Sequence, residues 1–388
     1  MMTKNQKQAL AGAALLSFVL GSLHAFSVLL LAMEIDFGVS RSAASVTYSI
    51  ALASLAAAVL MGHTLYARFT PAVYVTMVGM LAAAGCALAA FSSSMVFIWL
   101  GFGLIFGTAN GLGYGYALQF SGRILPENRG FAMGLITAIY ALGAVMFPIP
   151  LRIAANFGGW VAALLFLAIC LLLISALSAI SLKHSRMHYV ADAQVETTTT
   201  KGLRPEITWL WFSYCGAVTA GLMIIGHATG IIEARGSNPL WITAAPIIIA
   251  LANMVGSLLG GVLTDKRGGR SVLLCLSILS TAALLFMAFS SNWITTLIGL
   301  AIVGFAYGGT IAAYPAYISH RFGTMTGTVI YGRVFTAWAA AGLLGPSAAG
   351  VFFDQFNNYQ AALILAALAA AVSLILLVTK IKSVSEAQ

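Results

Sequence analysis

A single arginine lies inside a long apolar segment of the chain. Arg333 is the one charged residue in VIYGRVFTAWAAAGLLGP, residues 329–346, which is long enough to cross most of a bilayer. A charged side chain in a membrane helix is costly and by default indicates a function. Three functions are open: an anchor for an anionic ligand, a side chain that reaches the membrane surface, or a gate residue that pairs with another helix.

Amide, hydroxyl and aromatic side chains lie in other apolar segments. Amides and phenols can hydrogen-bond a carboxylate or a hydroxyl group, and aromatic faces can pack against an apolar tail. Each of them could equally form a hydrogen bond between helices. The candidates for substrate binding are Asn110, Tyr114, Tyr140, Asn253, Ser257, Tyr307 and Trp338.

Two histidines, His24 and His227, are candidates for carrying a proton, because imidazole changes its charge near neutral pH. His24 lies deeper in its apolar segment and is the stronger candidate for a cavity. All ten acidic residues fall at segment ends, in polar connections or in the tails. The apolar segments therefore lack the buried carboxylate that many proton-driven transporters use. Anion exchange, facilitated flux, and proton coupling through histidine or the substrate's own carboxylate stay open.

Sequence context excludes other chemistry. Gly111, Gly113 and Gly115 have no preceding strand and no following Lys-Ser/Thr, so they predict helix packing or flexing rather than a phosphate-binding loop. The four cysteines are too far apart in sequence to suggest a metal site or a disulfide framework. The chain has no ATP-binding motif and no catalytic triad. We expect no enzyme, no metal site and no cofactor.

The composition places the chain in lipid. It is 61% hydrophobic and only 7% charged, whereas a soluble domain carries roughly 25% charged residues. A helix needs about 20 apolar residues to span the hydrocarbon core. The sequence predicts an all-α membrane protein with twelve spans, at about 9–33, 42–66, 71–91, 95–120, 129–152, 159–182, 207–231, 240–264, 270–290, 294–319, 326–350 and 358–380.

The basic residues predict the orientation in the membrane. With twelve spans, both termini lie on one side. Of the 19 lysines and arginines, only Arg41, Arg152 and Arg235 fall on the other side, and Arg333 falls within a span. The positive-inside rule then places both termini and the longest loop in the cytoplasm, and the protein in a cytoplasmic (cell inner) membrane. The net charge of +9 therefore indicates topology rather than nucleic-acid binding.

A polar linker divides the chain into two similar halves. The linker covers 183–206 and separates six-helix bundles at 1–182 and 207–388. The motif pair GTANG (107–111) and GFAYG (304–308) and the pair TAIYALG (137–143) and TAWAAAG (336–342) repeat at offsets of 197 and 199 residues. Close packing at small residues could explain either pair alone, but not the shared offset.

Two pseudo-symmetric six-helix halves resemble the major facilitator fold, in which the substrate binds at the midplane between the halves. Because Asn110, Tyr307 and Trp338 lie in the repeated motifs, we favour them among the candidate substrate ligands.

The connection between spans 8 and 9, GGVLTDKRGGR (260–270), resembles the signature G-x-L-x-D-x-x-G-R-[KR] of that fold family. Asp265 at a helix end can pair with a basic residue or with a neighbouring helix N-terminus. An ordinary charged turn is the alternative. We predict that Gly261, Asp265, Gly268 and Arg270 act in gating. The equivalent segment after span 2, MGHTLYARFTP (61–71), keeps Gly62 and Arg68 but has no acid.

Several segments resemble the oxalate:formate antiporter family, which is related to the monocarboxylate transporters. They are LGSLHAFSVLL (20–30), ANGLGYGY (109–116), LPENRGFAMG (125–134), AGLMIIGHATGI (220–231), GFAYGG (304–309) and YGRVFTAWAAAGLLGP (331–346). The resemblance implies small organic anions held between the halves, with one basic residue in span 8 and another in span 11. This chain has Ser257 and Trp338 at those positions. We therefore expect a monocarboxylate rather than oxalate.

Taken together, the sequence predicts a secondary active transporter that moves a small organic anion by alternating access, as an exchanger or a proton-linked carrier. The alternative is a proton-coupled exporter of drugs or amphipathic compounds. A membrane receptor and a sugar carrier are weaker possibilities. The expected partners are the organic anion, membrane lipid and protons, with no nucleic acid, and the expected state is a monomer.

Overall fold

The computed structural model describes residues 2–26, 28–29, 33, 36–39, 41–189 and 203–381, and no strand occurs among them. The helices of the first half begin with α1, whose N-terminus has a capping box between Thr3 and Gln6. A 3-10 turn, Gly21–Phe26, continues α1. The helices are α1 Lys4–Leu20, α2 Arg41–Gly62, α3 Pro71–Ala90, α4 Met95–Ile124 and α5 Arg129–Met146, followed by Pro148–Ser185.

The stretch Pro148–Ser185 is divided where Gly158 and Gly159 leave helical geometry. Residues 148–157 continue α5, and residues 160–185 form α6. After the interruption at Phe147, Pro148 restarts the helix, and proline suits this position because the N–H that it lacks would have no partner in the helix.

The second half has the same organisation. The stretch Trp293–Phe356 is divided at Gly323, whose φ is 76°, into α10 (residues 293–322) and α11 (residues 324–356). Gly268, with a φ of 80°, separates α8 from α9. The other helices are α7 Arg204–Glu233, α8 Pro239–Arg267, α9 Gly269–Phe289 and α12 Gln360–Thr379.

These helices account for the twelve predicted spans. Nine helical stretches in the described part of the chain are long and apolar enough to cross a membrane. Two of them, Arg129–Ser185 and Trp293–Phe356, are 57 and 64 residues long and carry the glycine breaks, so each has the length for two crossings. Arg41–Gly62 is a further apolar helix. It ends before the predicted boundary at 66, because turn hydrogen bonds from Thr64 and Leu65 close it.

The chain is divided into two compact units. The described residues of Met1–Pro126 and Ile139–Ala193 form the first unit, and those of Glu127–Ala138 and Gln194–Gln388 form the second. The beginning of α5 thus groups with the second unit. Most of the predicted linker, 183–206, lies outside the described residues, and the predicted domain boundaries stay predictions.

Glycines set the distance between helices in the first unit. A Cβ at Gly111 of α4 would overlap with the Leu55 carbonyl oxygen of α2, and a Cβ at Gly113 would overlap with Leu20 of α1. Gly115 faces the hydroxyl of Tyr66. The prediction that the glycines of span 4 serve helix packing is confirmed.

In the second unit, α8 and α10 pack in the same way. A Cβ at Gly256 would overlap with the Phe305 carbonyl oxygen, and a Cβ at Gly260 would lie 2.6 Å from the Cα of Gly309. Small residues at such contacts allow two helix backbones to approach closely, which is how membrane helices gain packing energy.

The substitution Gly256→Ala is expected to lower the melting temperature in detergent by several degrees, because overpacking typically costs about 1–3 kcal/mol. Gly350→Ala in α11 is the matched control. No atom lies closer than 3.9 Å to its added Cβ, and alanine is favoured over glycine within a helix. Equal melting temperatures for the two variants would contradict this account of α8–α10 packing.

Candidate substrate and gating sites

A hydrogen-bonded cluster in the first unit joins α1, α4 and α5. The side-chain amide of Asn110 donates to the Leu20 carbonyl oxygen at 2.6 Å, and the Tyr140 hydroxyl donates to Asn110 Oδ1 at 2.9 Å. The ring of Tyr114 packs against Tyr140 with centroids 4.9 Å apart. Asn110 is fully buried, whereas Tyr140 is half-buried. Asn110 therefore positions Tyr140, and Tyr140 has the more accessible surface.

His24 lies beside this cluster, in the 3-10 turn after α1. Its Nδ1 is 2.6 Å from the hydroxyl of Tyr48 in α2, and its ring is edge-on to Tyr140 at 5.5 Å. His24 and Tyr48 are both half-buried. A tyrosine hydroxyl can donate to imidazole or accept from it, so this hydrogen bond suits both charge states of the histidine. Tyr48 could not be predicted from the sequence, because its spacing does not relate it to His24.

In the second unit, Trp338 of α11 and Tyr307 of α10 are bonded to each other. The indole N–H donates to the Tyr307 hydroxyl at 2.8 Å, and both residues are buried. Phe335 stacks on Trp338 with centroids 5.5 Å apart. Gly221 of α7 makes room for the Tyr307 ring, with which a Cβ there would overlap. The pair therefore contributes mainly an aromatic surface.

Arg333 lies about 15 Å along α11 from Gly323, at about 1.5 Å per residue, and is half-buried. The Thr336 hydroxyl donates to the backbone carbonyl oxygen of Arg333 at 2.7 Å. The same hydroxyl accepts a hydrogen bond from the indole N–H of Trp211 in α7 at 2.9 Å. Among the residues that the structure describes, the guanidinium of Arg333 has neither a hydrogen bond nor an ion pair. Within the described residues, the guanidinium of Arg333 therefore does not pair with another helix.

Other arginines of the second unit are engaged. Arg129 donates to the Ser319 carbonyl oxygen at 3.0 Å, and Arg235 donates to the Met287 carbonyl oxygen at 3.1 Å. Arg321 forms an ion pair with Glu206 at 3.0 Å. These contacts lie at helix ends, where a cation is favourable beside carbonyl oxygens. Arg333 differs from them because it lies well inside its helix.

Two candidates of α8 have different surroundings. The hydroxyl of Ser257 is fully buried and donates to the Gly308 carbonyl oxygen at 3.1 Å and to Asn253 Oδ1 at 3.4 Å. Asn253 is half-buried. Ser257 therefore joins α8 to α10, and Asn253 retains some accessible surface.

Asp265 caps the N-terminus of α5. Its two carboxylate oxygens accept hydrogen bonds from the backbone N–H groups of Gly130 and Phe131, each at 2.7 Å. His320 Nε2 lies 3.5 Å from the same carboxylate. A carboxylate is favoured at this place because the first N–H groups of a helix have no partner within it. The predicted pairing of Asp265 with a helix N-terminus is formed, and the basic residue His320 lies beside the same carboxylate.

Glycines bring α5 and α8 together beside this cap. A Cβ at Gly261 would overlap with the Gly130 carbonyl oxygen, and a Cβ at Gly134 would lie 2.6 Å from the Ser257 carbonyl oxygen. Gly130 and Gly134 are one helical turn apart, a spacing that signals close packing of membrane helices. That spacing is the sequence signal by which the α5 side of this contact could have been found.

The remaining residues of the gating motif have separate contacts. Gly268 has a positive φ, which favours glycine at this turn. Arg270 donates to the carbonyl oxygens of Leu377, Val378 and Ile381, so it caps the end of α12. The spacing of the motif thus combines a cap on α5, a turn and a cap on α12.

His227 joins α7 to neighbouring backbone and aromatic groups. Its Nε2 is 2.9 Å from the Pro346 carbonyl oxygen, and its Nδ1 is 3.4 Å from the Tyr359 hydroxyl. Because a carbonyl oxygen only accepts, Nε2 carries the proton. The described part of the chain contains no group of three or more His, Cys, Asp or Glu side chains that could hold a metal ion.

Removal of the cap on α5 has a local consequence. In Asp265→Ala, the amides of Gly130 and Phe131 lose their acceptors, so hydrogen–deuterium exchange in peptides covering 127–138 should accelerate. The melting temperature should fall, since loss of a cap costs about 0.5–2 kcal/mol. Lys266→Ala, an exposed neighbour, is the control and should leave both unchanged. Unaltered exchange in Asp265→Ala would rule out the cap.

Comparison with known proteins shows which families and folds the chain resembles. Residues 210–388 match the family model of the Major Facilitator Superfamily. The MFS-type transporter YhjX of Escherichia coli strain K12 is 28% identical over 84% of this chain and 83% of its own length. Monocarboxylate transporter 13 of Rattus norvegicus is 26% identical over 90% and 82%. The oxalate:formate antiporter of Oxalobacter formigenes is 23% identical over 85% and 81%.

The fold is also that of a solved transporter. The structure of FucP, in its outward conformation, covers 96% of this chain and 99% of its own, with a TM-score of 0.75 and 16% identity. The predicted fold class is therefore confirmed, and the matched family is one of transporters rather than enzymes. The chain is thus a multi-pass membrane protein that matches the Major Facilitator Superfamily over residues 210–388 and resembles the oxalate:formate antiporter and the monocarboxylate transporters.

Proposed function

We propose that this transporter moves a small organic anion, a monocarboxylate, across the membrane by alternating access. The observation that carries the proposal is Arg333, a half-buried guanidinium inside α11 that no described residue neutralises. In surroundings that water screens weakly, such a charge attracts an anion strongly. A guanidinium also offers two parallel N–H groups that match the two oxygens of a carboxylate.

A single carboxylate suits the second unit better than two. The positions where the resemblance implies basic residues are Ser257 and Trp338, which are uncharged. The hydroxyl of Ser257 is bonded to Gly308, and the indole of Trp338 is bonded to Tyr307. Of these helices, α11 therefore offers one fixed positive charge, at Arg333, beside an aromatic surface that suits an apolar substituent.

The named relatives support this substrate class. One relative is an oxalate:formate antiporter, and another is a monocarboxylate transporter, each aligned over more than four fifths of this chain. The likeness to FucP concerns the fold alone and gives no argument for a sugar.

In the first unit, we propose that the half-buried His24 and Tyr140 contact the substrate, and that Asn110 and Tyr114 position them. His24 is also the candidate proton-binding residue if transport is proton-linked, because its bond to Tyr48 persists in both charge states. In the second unit, Arg333 and Asn253 would contact the substrate, with Tyr307, Trp338 and Ser257 shaping the site.

We further propose that Gly261, Asp265, Gly268 and Arg270 form a gate. The support is the bond of Asp265 to two amides of α5, which can form or break as a unit. The proposed location is a cytoplasmic (inner) membrane with both termini in the cytoplasm, and the proposed state is a monomer.

Uptake by proteoliposomes tests the function. Purified protein should accumulate radiolabelled lactate, pyruvate, acetate or formate, with oxalate and malonate transported poorly. The same vesicles are assayed with cationic dyes. Transport of dyes without any carboxylate would replace the proposal with the alternative, an exporter of amphipathic compounds.

The variant Arg333→Gln should reduce kcat/KM for the best carboxylate by about 10- to 100-fold, since hydrogen bonds to charged groups contribute about 1.5–3 kcal/mol. Arg333→Lys keeps the charge and should retain part of the activity. The exposed Arg152→Gln serves as control. Uptake by Arg333→Gln at the wild-type rate would remove Arg333 from the site.

Proton coupling has its own test at His24. If His24 binds the coupled proton, wild-type uptake should fall as pH rises, because protonation of the histidine becomes less favourable. His24→Gln should abolish this pH dependence, whereas His227→Gln should keep it. Wild-type uptake that is independent of pH would favour anion exchange.

A further inference from the structure

An aromatic cage lies in the first unit, where α2 ends, α3 begins and α4 ends. We define it by Tyr66, Tyr116, Phe120 and Arg123. The ring of Tyr66 is 5.6 Å from that of Tyr116, and Tyr116 stacks on Phe120 at 5.3 Å. Tyr74 of α3 supports the cage from behind, stacked on Tyr116 at 4.5 Å. The rings of Tyr66, Tyr116 and Phe120 are almost completely buried.

Tyr189 occupies this cage, although it lies outside any helix. It follows α6 by four residues and is 8% exposed. Its ring lies 5.5 Å from Tyr66 and is stacked on Tyr116 at 5.6 Å and on Phe120 at 6.4 Å. The guanidinium carbon of Arg123 is 4.3 Å from the centre of the Tyr189 ring. Tyr189 is thus held by three rings and a cation.

The sequence around Tyr189 is not that of a membrane segment. Tyr189 belongs to the polar linker, 183–206, and its neighbours Arg186 and His188 are exposed. A single buried aromatic residue that follows the end of a helix and has exposed polar neighbours is an anchor rather than part of a continuous core. The cage therefore binds the beginning of the linker.

Two glycines are required to build the cage. A Cβ at Gly115 of α4 would overlap with the Tyr66 hydroxyl, and a Cβ at Gly62 would lie 2.6 Å from the same atom. The Tyr66 side chain thus folds back over the end of α2 and reaches α4. Any side chain at Gly62 or Gly115 would therefore overlap with Tyr66.

Tyr66 also has a defined place in the repeat. MGHTLYARFTP (61–71) and GGVLTDKRGGR (260–270) align at an offset of 199 residues, so Tyr66 corresponds to Asp265 and Gly62 to Gly261. In the second unit, Asp265 holds the N-terminus of α5. In the first unit, the residue at the same repeat position is uncharged and contacts Tyr189.

We propose that the aromatic cage is a docking site for this chain's own linker, with Tyr189 as the inserted residue. Within the cage, Tyr66 stands at the repeat position where the second half has the carboxylate of Asp265. The two halves then use one repeat position differently: a charged cap on a helix in the second, and an uncharged anchor for the linker in the first. The proposal does not depend on the identity of the substrate.

Limited trypsin digestion of the detergent-solubilised full-length protein tests the docking. Trypsin cleaves after Arg186, three residues before Tyr189, and needs an extended segment on both sides of that bond. A docked Tyr189 prevents this, so cleavage follows the population of the undocked state. Tyr189→Ala should accelerate cleavage after Arg186 by about tenfold or more, since aromatic and cation–π contacts are both lost. Cleavage after Lys201 is the internal reference.

Three variants make the result specific. Tyr189→Phe keeps the ring and should be cleaved as slowly as wild type, while the exposed neighbour His188→Ala should also be unchanged. Arg123→Gln should accelerate cleavage about threefold or more through the lost cation–π contact. Synthetic peptides of residues 181–194 correct for the intrinsic cleavage rate of each sequence.

Wild-type rates after Arg186 in Tyr189→Ala would overturn the proposal. Equal acceleration in Tyr189→Phe or His188→Ala would also overturn it, because the ring would then not be the docked group. A melting curve of each variant establishes that the bundle is folded. If Tyr189→Ala does not fold, Arg123→Gln still tests the docking.

Discussion

Close contact between helix backbones is the constraint on which the rest of this structure depends. In lipid, backbone N–H and C=O groups must be bonded within the chain, which leaves helices as the spanning elements. Between such helices, packing replaces much of the hydrophobic driving force of soluble proteins. The chain meets this constraint with glycine facing carbonyl oxygen, as at Gly111 with Leu55, Gly256 with Phe305 and Gly261 with Gly130. Each contact fixes which side chains surround it.

The polar side chains follow from these contacts. Because α8 and α10 approach at Gly256 and Gly308, Ser257 reaches a carbonyl oxygen of α10 directly. Because α5 and α8 approach at Gly130 and Gly261, the Asp265 carboxylate meets two unpaired amides. Most charged groups with described partners lie at helix ends, where unpaired amides and carbonyl oxygens make a charge favourable. Arg333 departs from that pattern because it lies inside α11, and this is why the proposed function depends on it.

The two halves carry related sequences and different local chemistry. The repeat aligns Gly62 with Gly261, and both glycines accept a close neighbour. The residues four positions later are Tyr66 and Asp265, one bound among aromatic rings and the other to helix amides. A repeated backbone contact therefore does not impose a repeated function, because the side chain beside it decides the partner.

The sequence by itself determined the class, the helices and the identity of the exceptional residues. Apolar length gives twelve spans, since the bilayer sets the required length, and the repeat offset gives two halves. Single residues such as Arg333 and Asp265 were recognisable because charge is rare in such a chain. The partners were decided by the tertiary structure alone. The contacts of His24 with Tyr48, Trp338 with Tyr307 and Tyr189 with the aromatic cage join residues that no sequence spacing relates. They depend on how each helix is rotated and how closely it packs, which the hydrophobic pattern of an almost uniformly apolar helix does not specify.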